Sequence, residues 1–144
     1  MNPLNDKLRQ ITLEAFESLC RLFPEMEGNE SAEAPYSEAV AVEFSGPVRG
    51  IFYLYFQSRL RRAVAEAMLE SAPTTQQEED AMKEMANVIC GNMLPYVVGP
   101  EPVFTLSPPR RESLSEKRAS TETTVSTQVI FPQGAAEMSV FLYP

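Results

Sequence analysis

Apolar residues recur in three- and four-residue steps from about Asn5 to Phe23, where Leu8, Ile11, Ala15, Leu19 and Leu22 share one helical face. Pro24 is expected to stop that helix, because its ring and missing N–H oppose a continued ladder. The acidic, small-residue stretch Pro24–Pro35 reads as a solvated loop. Alternation takes over from Ala39 to Phe44, with Val40, Val42 and Phe44 on one side, the pattern of a half-buried strand. After the break Ser45-Gly46-Pro47, the apolar, aromatic run Val48–Phe56 reads as the second strand of a hairpin, with Tyr53 and Tyr55 as sheet residues. Ser58 can cap a second helix that carries Leu60, Ala63, Val64, Ala67 and Met68 on one face. Past Pro73, Thr75 and Glu78 have the spacing of a capping box, so a third helix is expected from about Gln76, to be ended or kinked by Pro95. Val103–Leu106 reads as a short strand and Arg110–Ser120 as a mobile basic arm. Thr123–Phe131 and Ala135–Tyr143 read as strands joined across the turn Pro132-Gln133-Gly134.

This order of elements predicts an α+β fold, with long helices packed on a mainly antiparallel sheet. A chain of 144 residues is large enough to bury a core of its own, and residues 1–144 are read as a single domain. The net charge of −8 argues against a nucleic-acid partner, whose phosphates would be repelled. No stretch has the apolar length of a membrane span, and MNPLNDKLRQ lacks a signal peptide's apolar run. Cys20 and Cys90 fall within amphipathic helical patterns and are expected to be reduced core thiols of a cytoplasmic protein. There is no histidine, so serine–histidine and cysteine–histidine mechanisms are excluded and the commonest transition-metal ligand is missing. Any catalysis has to run on carboxylates, amides or a partner's groups.

The third helix carries the candidate chemistry. Asp80, Glu84 and Asn87 stand at i, i+4 and i+7, and Gly91 at i+11 continues the same stripe. Met82, Met85, Ala86, Ile89 and Met93 cluster on the other side, as a core face would. A polar stripe opposite an apolar one is also what any surface helix has. Asn87 and Gly91 stand out against that plain alternative, because both are poor residues for a helix interior and glycine costs about 1 kcal/mol relative to alanine. Placed outward, they suggest that something approaching the helix needs the amide and needs room beside it.

The spacing Asp80-x3-Glu84-x2-Asn87-x21-Pro109 resembles the active-site pattern of the CheC/CheX/FliY chemotaxis phosphatases. The flanking stretches Asn87-Val-Ile-Cys-Gly91-Asn92 and Thr105-Leu106-Ser107-Pro108-Pro109 resemble the family's helix and strand-end segments. One such motif in a one-domain chain looks most like CheX; on the first helix, Glu14-x2-Glu17 does not end in asparagine.

The resemblance implies a CheC-like fold and hydrolysis of the aspartyl phosphate on a CheY-like receiver domain. It implies that Asn87 orients the attacking water and that Glu84 docks the receiver's lysine. Asp80 and Gly91 are then partner-binding positions, Asp80 also being open to a first-turn dipole role and Gly91 to a helix-packing role. Pro109 is a structural residue beside the site. The chain would bind no cofactor or metal of its own, Mg²⁺ being expected in the partner receiver, and a homodimer through the sheet is expected. Two rival readings are a non-catalytic adaptor that binds a receiver domain and a structural subunit of the flagellar motor or a signalling assembly.

Overall fold

The computed structural model describes residues 3–25, 36–99, 103–112 and 125–143. The chain order is α1 (Pro3–Cys20), β1 (Glu38–Ser45), β2 (Gly50–Phe56), α2 (Ser58–Leu69), α3 (Thr75–Val98), β3 (Thr105–Leu106), β4 (Arg110–Glu112), β5 (Val125–Phe131) and β6 (Gly134–Leu142). All strand pairings are antiparallel, in the order β3-β1-β2-β6-β5, with β4 also on β1. The expected α+β architecture is what forms.

Side-chain alternation decides how helices meet the sheet. Val40, Val42 and Phe44 of β1, Phe52, Leu54 and Phe56 of β2, and Ala136, Met138 and Val140 of β6 enter the main core. There they meet Leu8, Phe16, Leu60, Val64, Met82, Met85, Ile89 and Met93 from the helices. The motif helix α3 lies between α1 and α2 and packs against β1, β2 and β4. Alternation in β1 is less clean than a half-buried strand requires, because Ala41 on its other face is also buried. It joins Ile51, Tyr53 and Phe141 in a second, smaller apolar cluster.

Several boundaries differ from the sequence reading, each for a local reason. Helix α1 ends at Cys20, not Phe23. Arg21 turns left-handed (φ 55°) and its N–H donates to the Glu17 carbonyl at 2.9 Å, closing the helix before Pro24 is reached. Strand β2 begins at Gly50 instead of Val48, where a Cβ would stand 2.4 Å from the Phe141 carbonyl and 2.6 Å from the Phe44 ring. Helix α2 has Gln57, not Ser58, at its N-cap, and that side chain accepts from the Ala135 N–H at 2.9 Å in place of capping the helix. Pro95 does not end α3, which continues to Val98.

The largest departure is the basic arm. Arg110–Glu112 forms β4, paired with β1 through Ala41↔Arg110, Val40↔Arg111 and Ala39↔Glu112. Pairing on the other side of Pro108-Pro109 is Phe44↔Leu106 and Ser45↔Thr105. Between these two stretches the register slips by one residue, so residues 107–109 form a bulge. Proline is tolerated at such a place because no ladder N–H is required of it. The rest of the expected arm, 113–120, and most of the expected loop 24–35 lie outside the described residues.

Candidate functional site

Helix α3 starts one residue earlier than the expected capping box. Thr74 is the N-cap: its hydroxyl accepts from the Gln77 N–H at 3.1 Å, and the Gln77 side chain accepts from the Thr74 N–H at 2.9 Å. Glu78 is therefore free for another task. Only 5% exposed, it accepts from Arg61 Nε at 2.8 Å and from Arg62 at 3.2 Å, both on α2. Arg61 also pairs with Glu38 of β1. Arg111 of β4 donates to Glu79 at 2.9 Å and lies 3.5 Å from Glu38. The first turn of α3 is thus tied to α2, β1 and β4 at once.

The one-residue slip at the proline bulge governs this tie. A shift of one residue exchanges the two faces of a strand. Because of the bulge, Arg111 pairs opposite Val40, on the helix-facing side, and reaches Glu79. Arg110 falls on the other side with Glu43 and Glu112. Ser107 pins the bulge, since its N–H donates to the Glu43 carbonyl at 2.8 Å and its hydroxyl accepts from the Glu43 N–H at 2.9 Å. Pro109 is half-buried in this stretch, and Arg111, two residues later, brings the strand onto the motif helix. The sequence reading missed the whole network, for which the adjacent Arg110-Arg111 and the repeated Glu of Glu78-Glu79 were the only signals.

Below the stripe, Met82, Met85, Ala86, Ile89 and Cys90 are fully buried and Met93 is 1% exposed, the core face that the periodicity predicted. Burial pushes the Cys90 thiol up to about 12 and that of Cys20 to about 11, so both are protonated, inert thiols near neutral pH. A cysteine nucleophile on the motif helix is thereby excluded.

Along the outward stripe, Asp80 is exposed and accepts from the Gln76 side chain at 2.9 Å, one turn back. As the sixth residue of α3 it lies beyond the first turn, which removes the helix-dipole reading. Glu84 is exposed and forms no ion pair among the described residues. Asn87 is half-buried where full projection was expected, and of its two amide atoms only Oδ1 is both enclosed and without a hydrogen-bond partner. An enclosed acceptor left unpaired costs about 1–3 kcal/mol, so this amide weakens the fold it sits in. Gly91 is exposed, and a Cβ built there meets nothing within 4 Å. Packing among the described residues therefore gives no reason for glycine at 91.

Asp80, Glu84 and Gly91 are exposed on the outward side of α3. Two open depressions, of about 500 and 480 Å³, are lined by Glu43, Arg49, Ser107 and Tyr143 among others, and by Glu14, Glu17, Ser18, Arg21 and Phe23. Neither is lined by a residue of the stripe. Among the described residues no cluster of histidine, cysteine, aspartate or glutamate could hold a metal ion, and no helix is long and apolar enough to cross a membrane.

Comparison with solved structures returns matches over nearly the whole chain. The chemotaxis protein CheX from Vibrio vulnificus is similar with a TM-score of 0.78 at 12% identity, covering 99% of this chain and 97% of that one. CheX from Desulfovibrio desulfuricans gives 0.75 at 14% identity, covering 99% and 100%. CheX from Borrelia burgdorferi, in a complex with CheY, BeF3 and Mg²⁺, gives 0.69 at 14% identity, covering 96% and 97%. At such identities these likenesses show the fold. Comparison with curated protein sequences returned no match. The family model described as chemotaxis phosphatase CheX matches residues 39–132, a span that is more than half of the chain and includes α3 and the proline bulge. The chain belongs to the chemotaxis phosphatase CheX family.

Proposed function

We propose that this chain hydrolyses the aspartyl phosphate of a CheY-type receiver domain, with Asn87 orienting the attacking water and Glu84 docking the receiver's lysine. The observation that carries the reading is the Asn87 amide, whose Oδ1 has no partner among the described residues, seated one turn from an exposed glutamate that forms no ion pair among them, on the outward face of α3. Small-molecule sites are concave. A stripe that lines neither depression suits the opposite case, in which the reacting bond lies in a partner's cleft. Family membership and the fold shared with a CheX that forms a complex with CheY support the choice of partner.

The chemistry asks little of this chain. An acyl phosphate is already labile, so catalysis is chiefly the placing of a water in line with the phosphorus. A carboxamide can orient one water without removing its proton, and with Oδ1 enclosed that contact falls to the Nδ2 donor of Asn87. The Mg²⁺ that neutralises charge on the phosphoryl oxygens belongs to the receiver, and Glu84 sets the register by a charge-assisted bond to the receiver's lysine. Asp80 and Gly91 flank the contact, and Pro109 acts indirectly through the strand that holds the helix. The setting is cytoplasmic, where receiver domains work.

A homodimer belongs to the same proposal. Three outward groups of β5 are engaged within the chain: the Ser126 N–H by Asn5, the Gln128 carbonyl by Arg9 and the Ile130 carbonyl by the Glu25 N–H. Pairing through the sheet would use another part of it or displace these bonds, and light scattering decides whether it occurs. The test of the activity is phosphate release from a phosphorylated CheY receiver with wild type and Asn87→Ala. Equal rates overturn the catalytic assignment. Binding by both proteins with acceleration by neither establishes the adaptor instead.

A further inference from the structure

In an α-helix each carbonyl accepts from the N–H four residues later. The residue four after Gly91 is Pro95, which has no N–H to give. The Gly91 carbonyl is therefore without its helical donor in the interior of α3, while the ladder resumes beyond, where the Gly99 N–H donates to the Pro95 carbonyl at 2.9 Å. Gly91 and Pro95 are both exposed, and both continue the line of Glu84 and Asn87. Among the described residues nothing lies within 4 Å of where a Gly91 Cβ would stand, so the helix backbone is bare on the side toward Asn87.

We infer that the Gly91 carbonyl is a docking acceptor for an N–H donor of the receiver domain, freed by Pro95 on a helix face that the missing Gly91 side chain leaves bare. The inference rests on the receiver reading above and adds a second contact to it. Two costly residues within about one helical turn then serve one contact: proline removes the internal donor and glycine lets the receiver come close to the helix backbone. Charge selects the occupant. The stripe offers Asp80, Glu84 and this carbonyl, all acceptors, so the surface that matches it is rich in donors, an ammonium, a guanidinium or a backbone amide. Helical rise puts the carbonyl about 6 Å beyond Asn87 and about 10 Å beyond Glu84 along the axis. The donor on the receiver accordingly lies on the far side of the phosphorylation site from the lysine that meets Glu84.

Pro95→Ala tests this, because it supplies the missing N–H while leaving Glu84, Asn87 and Gly91 in place. The new amide at 95 is expected to be protected from hydrogen exchange and thermal stability to rise. The Kd for a CheY receiver phosphorylated with acetyl phosphate is expected to weaken about three- to tenfold, the worth of one hydrogen bond, with the rate at saturation unchanged. A protected amide with wild-type Kd overturns the docking role. An unprotected amide overturns the claim that Pro95 is what frees the carbonyl. If wild type neither binds the receiver nor accelerates its dephosphorylation, the receiver reading falls and this inference falls with it; if wild type does both and Pro95→Ala matches it, only this inference falls.

Discussion

The two halves of α3 are built on opposite principles. From Thr74 to Asp80 the helix is over-determined: a reciprocal capping box, Glu78 held by two arginines of α2, and Glu79 held by Arg111 of β4. From Glu84 to Pro95 the outward face carries, as far as the described residues go, a carboxylate with no ion pair, an enclosed amide oxygen with no partner and a glycine that nothing packs against, and then a proline. Stability is concentrated at one end and spent at the other. A surface that must meet a second protein cannot satisfy its own polar groups beforehand, so the helix needs an anchor that does not depend on them.

Experiments on the two halves should therefore give effects of opposite character. The largest is expected from Asn87→Ala in the CheX-type reaction, a loss of at least about 10²-fold in dephosphorylation rate, comparable to removing other positioning donors. Its melting temperature should not fall, because alanine is the better helix former and no acceptor is left enclosed; a marked drop would reassign Asn87 to the fold. Glu78→Ala probes the anchored half and should cost about 2 kcal/mol in urea unfolding, the worth of hydrogen bonds to a charged group. An unchanged midpoint would dissolve the contrast. Glu84→Lys should weaken receiver binding about tenfold or more in a titration, while stability moves by no more than about 0.5 kcal/mol, as for an exposed site. Gly91→Ala should raise stability by about 1 kcal/mol, since the added methyl meets none of the described residues, and weaken receiver binding by filling the cleared patch. A destabilised Gly91→Ala would mean that glycine serves the helix itself.

Much of this was legible in the chain because it depends on near neighbours. The methionine face of α3, the hairpin β1–β2 and the stripe from Asp80 to Gly91 follow from periods of 3.6 and 2 and from apolar runs, which helices and strands impose on residues a few positions apart. Family membership was legible for a similar reason, since side chains bound for one surface keep a rigid spacing. Cap positions were harder. Thr74 and Thr75 stand side by side, and choosing between them required knowing that Glu78 turns inward to Arg61.

What no local pattern could supply is the meaning of Arg110 and Arg111, two cations that read as a solvated arm. Their strand exists because β1 offers an edge and because a one-residue slip at Pro108-Pro109 selects which arginine faces the helices. Arg111 and Glu79 stand 32 residues apart. Electrostatic partners at that separation are chosen by the packing of strand against helix, and only the assembled fold decides that choice. The same holds for Asn87 and Gly91. Residue type flagged them as costly, but the enclosed, unpaired oxygen and the open space where a side chain would stand are properties of three dimensions.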